Sequence, residues 1–253
     1  MRAGIYREEI RIAGKSNIIV TGCGGRTRIE SPEDPAGESL VSIELEDGQS
    51  NISFHDLAIE ARGQVGIRTV GGSRVEFHRV NIQTMASDTA GPQSAHHIAG
   101  TSDARIISSQ IEMGSAFSHH AAVYIDAPGP TLIEANAIET RRDQDGNISH
   151  AWGGIHIAGG SRDVEIRDNV VRGGRGHCIT LGSVVFRALD GSSLGVEGAG
   201  RGQSNPKPPF SVTGMIQSVM VAGDPDTTGS REFFPEAQPA IHELIISDNH
   251  IEA

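Results

Sequence analysis

Histidine carries the most concentrated chemistry in this 253-residue chain. Seven of its eleven histidines, at 96, 97, 119, 120, 150, 156 and 177, fall in or just before short strand-like runs that end at turn signals. Imidazole titrates nearest neutrality, so it can take, give or share a proton, or hold a cation. Aligning the runs VGIRTVGGS (65–73), SAHHIAGTS (94–102), AVYIDAPG (122–129), GGIHIAGGS (153–161) and HCITLGS (177–183) on their final turns places Arg68, His97, Tyr124, His156 and Thr180 in one outward column. His119, His120, His150, Trp152 and His177 crowd the turn just upstream. A polar groove flanked by the ring faces of Tyr124 and Trp152 suits a sugar polymer. The candidate catalytic groups are His177 and His156, and the candidate substrate-binding groups are Arg68, His97, Tyr124, Trp152 and Arg175. Elimination or epimerisation next to a uronate needs a base and a cation that neutralises the carboxylate. His156 or His177 can serve as the base, and Arg68, Arg172 or Arg175 as the cation. The competing reading is structural, since outward strand positions are polar in any half-buried sheet.

Asp126, Asp143, Asp145 and Asp168 flank the histidines, but 143–146 and 168–169 are also ordinary turn sequences. Zinc requires three or four converging ligands. Neither a His-x-His nor a Cys-x-x-Cys pair occurs, and the adjacent pairs His96-His97 and His119-His120 diverge in a strand. No metal set and no cofactor are expected. Cys23 and Cys178 form neither a metal pattern nor a disulfide framework and are expected to fill small interior sites.

The elements that must position these groups repeat. Apolar residues recur in the spacing h-x-h-x-x-h-x-h at Ile52, Phe54, Leu57, Ile59 and at Val75, Phe77, Val80, Ile82. Further copies run through Ala104, Ile106, Ser109, Ile111, through Thr131, Ile133, Asn136, Ile138, and through Val164, Ile166, Asn169, Val171. The last is Leu244, Ile246, Asn249, Ile251. The first five copies follow one another at 23–33 residues, each too small to bury its own apolar face, which is the signature of a solenoid. There is no helical stripe, no six-residue period and no leucine-rich spacing. The expectation is an all-β, single-stranded, right-handed parallel β-helix spanning 1–253, with Phe54 and Phe77 stacked and with Asn136, Asn169 and Asn249 forming an inward amide ladder. Between Val171 and Ile251 the spacing stretches to 80 residues, and 184–240 is read as one long loop insertion, a flap packed through its phenylalanines. Both ends open in mid-coil, so a segment of a longer chain is expected, with further coils or a protein partner at the ends.

Composition excludes other classes. Net charge is −11, which disfavours nucleic acid, and no apolar run approaches a membrane span. Localisation is left open, extracellular or cell-surface if a signal lies upstream.

These coils, and the opening GIYREEIRIAGKSNIIVTGCGGRTRI (4–29), resemble the pectin-lyase-like β-helix superfamily. Within them GGRGHCITLGSV (173–184) resembles the Gly-His-Gly coil of polygalacturonase-type glycoside hydrolases. His177 matches that family's active-site histidine, and Cys178 replaces its second glycine. The resemblance implies paired acids one coil earlier and another two coils earlier, because inverting hydrolysis needs an acid and a base. Those positions are Trp152, Gly153 and Ala121, so this hydrolysis is disfavoured. The expectation is a polysaccharide-associated β-helix that binds or modifies a glycan. The alternative is a non-catalytic β-helix module of a surface, secretion or phage-tail-like assembly.

Overall fold

The computed structural model describes residues 1–31, 42–46, 48–61, 65–84, 94–114, 121–140, 153–173, 178–182 and 241–252, and the backbone alone of four short strands between 184 and 221. Every regular element among them is a β-strand. Two sheets, both entirely parallel, carry the architecture, and successive coils of the chain stack in register as in a parallel β-helix.

In the larger sheet each coil contributes two consecutive segments. Ser50–Ala61 and Ser73–Thr84 run through both segments unbroken. In later coils the same span is divided, as in Ser102–Ile107 followed by Gln110–Met113. The smaller sheet stacks Ile10–Ile12, Ile43–Leu45, Val65–Val70, Ser94–Ala99, Ala121–Asp126, Gly153–Ile157 and Ile179–Leu181.

The apolar repeat becomes columns of side chains running along the axis. Ile52, Val75, Ala104, Thr131, Val164 and Leu244 form one inward column of the larger sheet. Phe54, Phe77, Ile106, Ile133, Ile166 and Ile246 form the next. Phe54 and Phe77 lie one above the other with ring centroids 5.4 Å apart and planes 8° from parallel, as the repeat predicts. Their rings are fully buried, so the offset stack adds to the apolar area removed from water.

The two unmatched positions in the middle of h-x-h-x-x-h-x-h mark a corner. The first points outward, and the second adopts left-handed backbone, with φ between 50° and 56° at Asp56, Arg79, Ser108, Ala135, Asp168 and Asp248. Such residues are individually unfavourable in that region, so something must hold the corner. In three coils an asparagine follows it. The main-chain N–H of Ser109 donates to Asn136 Oδ1 at 2.9 Å, that of Asn136 to Asn169 Oδ1 at 3.0 Å, and that of Asn169 to Asn249 Oδ1 at 3.0 Å. The ladder is the one expected from the sequence. Below it, Ser109 Oγ takes the same role by accepting from Val80 N at 3.1 Å.

Close packing between the sheets requires glycine at Gly154, where a Cβ would come within 2.2 Å of Val171 Cγ1. Cys178 is buried, as expected. Cys23 is exposed instead, between Ser16–Thr21 and Thr27–Glu30, with its Sγ 3.7 Å from the carbonyl oxygen of Met1. Of the 184–240 stretch read as a flap, only two short antiparallel pairs are described, Val184–Arg187 with Ser193–Glu197 and Ser211–Val212 with Met220–Val221. Its other residues lie outside the described part of the chain.

Candidate functional site

The smaller sheet positions the column read from the histidines. Alternation turns one residue of each adjacent pair into the core and the other out. Ile67, His96, Val123 and Ile155 share one inward column, and Thr69, Ile98, Ile125 and Ile157 share the next. The residue between them in each strand faces outward. The register therefore aligns Arg11, Glu44, Arg68, His97, Tyr124, His156 and Thr180 on successive coils.

The upper half of this column is a packed aromatic stack. His97 lies over Tyr124, with centroids 4.8 Å apart and planes 28° from parallel. His156 meets the Tyr124 ring edge-on at 5.4 Å and 89°. Only 3% of Tyr124 and 5% of His156 is exposed, so these rings are covered rather than presented to solvent. Burial holds the imidazoles neutral. It depresses His97 to about 4, with the charge of Arg68 adding to the effect, and it lowers His156 as well. His156 Nε2 lies 2.6 Å from the carbonyl oxygen of Gly182. A carbonyl only accepts, so Nε2 carries the proton and Nδ1 keeps the lone pair. Burial, and after it the nearby Asp126, raises the Tyr124 hydroxyl, which has no hydrogen-bond partner among the described residues. Asp126 follows two positions later on the same face, and its carboxyl is raised by partial burial.

The lower half is ionic and open. Glu44 lies 3.6 Å from Arg68 and 3.8 Å from Arg11, and Arg11 also pairs with Glu46. The Arg11 side chain is 61% exposed and that of Arg68 46%, so this half of the column presents two accessible cations.

Of the residues singled out from sequence, the structure brings Arg68, His97, Tyr124 and His156 together. His177, Arg175 and Trp152 lie outside the described residues, as do His119, His120, His150, Asp143 and Asp145. Two of the three positions where the polygalacturonase resemblance wants acids are described: Ala121 and Gly153 stack directly on one another, both buried. Neither offers a proton.

Two features escaped the sequence reading. His96 stands in an aliphatic column, and neither ring nitrogen has a hydrogen-bond partner among the described residues. On the outward face of the larger sheet, His55, Glu76 and His78 bring three ligand atoms within 4.8 Å of one another. The signal for this cluster was present, because Phe-His occupies the same repeat position in NISFHDLAI and RVEFHRVNI. A search for ligands spaced along one strand passes over a pair formed between coils. No family model matches the chain, and no curated protein or solved structure is matched either.

Proposed function

We propose that the chain is a polysaccharide-associated parallel β-helix related to the pectin-lyase-like superfamily, binding a glycan that lies along the outward face of the smaller sheet. The supporting observation is the registered column from Arg11 to Thr180, which offers one polar or aromatic group per coil. Coils stack at about 4.8 Å, so an extended polymer parallel to the axis passes one coil of the column at each step. Arg11 and Arg68 are the open cations that an acidic or hydroxyl-rich sugar reaches, with His97 beside Arg68. Tyr124 and His156 back that edge by packing, and stacking of a sugar on the Tyr124 face is not part of this reading. Hydrolysis of the polygalacturonase kind is not part of it either, given Ala121 and Gly153 at the acid positions.

A second reading has its own support. The covered, neutral Tyr124–His156 pair suits a non-catalytic structural module, in which the aromatic stack only stiffens the solenoid. The experiment is affinity electrophoresis of the full chain through gels carrying a neutral glucan, a polyuronate or an amino-sugar polymer. Retardation in at least one gel, weakened by Arg68→Ala, supports the glycan reading. Free migration in all of them retires it in favour of the structural one. Incubation with the retarding polymer, followed for new reducing ends or for the absorbance of an unsaturated product, separates modification from binding.

A further inference from the structure

We propose that His55, Glu76 and His78 form a binding site for a divalent transition-metal cation of the zinc class, clamping two successive coils together. The site is independent of the glycan reading, because it lies on the other sheet.

The register builds it. His55 and His78 are direct partners on adjacent coils, and Glu76 precedes His78 by two positions, so it shares the same outward face. The three side chains are half-buried, and their ligand atoms all lie within 4.8 Å of one another. Around a tetrahedral zinc ion with bonds of about 2.0–2.2 Å, donor atoms sit roughly 3.4 Å apart, so small side-chain rotations close the set. Two imidazoles on one such ion hold their ring centres about 5 Å apart. The His55 and His78 centroids are 5.8 Å apart, with planes at 89°.

The donor set selects the cation. Two imidazoles and one carboxylate suit zinc, cobalt, nickel or copper, whereas calcium and magnesium favour all-oxygen sites. Three protein ligands on a solvent-facing sheet leave a fourth position for water. The surroundings fit. Arg79 approaches His78 Nε2 at 3.1 Å, and a guanidinium only donates, so that nitrogen presents a lone pair. Arg79 is also anchored on Asp56 at 2.6 and 2.8 Å, and that carboxylate offsets its charge beside the cluster. Metal binding takes the lone pair in place of one Arg79 contact while the Asp56 anchor stays. Glu76 pairs in register with Arg105, whose guanidinium is turned instead to Asp103 at 3.0 Å. Glu76 therefore carries no ion pair among the described residues and is available as the anionic ligand.

The test is titration of the chelator-treated full chain with zinc chloride by calorimetry, with cobalt chloride as a spectroscopic probe. The expected result includes a zinc-binding step that His55→Ala, His78→Ala and Glu76→Gln each weaken by about tenfold or more. Cobalt should give the visible absorbance of a low-coordinate N/O site, lost in the same variants. His250→Ala, at an exposed histidine elsewhere, serves as the control and leaves the step unchanged. Glu76→Gln preserves shape and keeps the test valid if a histidine variant disturbs the fold, which far-ultraviolet circular dichroism reports. Absence of saturable binding, or binding unchanged in a folded Glu76→Gln variant and in a folded His55→Ala/His78→Ala double variant, overturns the proposal.

Discussion

Asn136 and Asn169 are joined twice through one atom: the main-chain N–H and the side-chain Nδ2 of Asn136 donate to Asn169 Oδ1 at 3.0 and 2.9 Å. Asn169 repeats both bonds to Asn249 one coil further on, and its own Nδ2 donates to the carbonyls of Ile133 and Arg167. A single side chain thus satisfies the left-handed corner of its own coil and of its neighbour.

Asn169→Ala should therefore cost about 3–5 kcal/mol, because it strands several buried main-chain groups at once. Urea unfolding of variant and parent measures the loss. A cost below about 1 kcal/mol would mean that water replaces the amide.

His96 presents its ring edge-on to Phe77, with centroids 4.5 Å apart at 88°, in a column otherwise built from Ile67, Val123 and Ile155. Its two nitrogens are buried without partners among the described residues. Since an apolar group of similar size removes that penalty, His96→Ile should stabilise the chain by about 1–2 kcal/mol near neutral pH. A destabilised variant would show that the edge contact to Phe77 outweighs the unsatisfied ring.

Acid should weaken the fold through the same burial. Burial, aided by the neighbouring His97, depresses His96 to about 3, while His97 stands at about 4 and His156 is lowered too. The unfolded chain binds these protons near pH 6.5, whereas the folded chain does not. Stability should be level above about pH 7 with respect to these groups and fall as pH drops below 6.5, each histidine adding up to about 1.4 kcal/mol per pH unit. Asp126, raised by burial, opposes the trend only near its own carboxylate range. Unfolding midpoints across pH 5–8 test this, and His96→Ile should flatten the slope by about one proton.

A Cβ at Gly154 would strike Val171 Cγ1. Gly154→Ala should cost about 1–3 kcal/mol by overpacking. Combined with Val171→Ala it should cost less than the sum of the two single variants. A double-mutant cycle reads that coupling, and strict additivity would deny the contact.

Much of the molecule was legible in the residues. In a solenoid, equivalent positions of consecutive copies become neighbours, so a short pattern repeated along the chain already names many contacts. That is why Phe54 over Phe77, the three asparagines, and the sequence Arg68, His97, Tyr124, His156, Thr180 follow from alignment alone. Alternation along a strand likewise turns His96 and His97 to opposite faces.

Tertiary structure decided what these neighbours can do. Tyr124 and His97 belong to one outward column, yet one ring is covered and the arginine below them is open, because exposure depends on everything packed around a side chain. The left-handed corners at Asp56 and Arg79 align the two Phe-His pairs so that His55, His78 and Glu76 converge, although no single strand carries more than two of the three. A repeat specifies which residue stands above which. Depth, charge balance and convergence arise only when coils of unequal length close on one another.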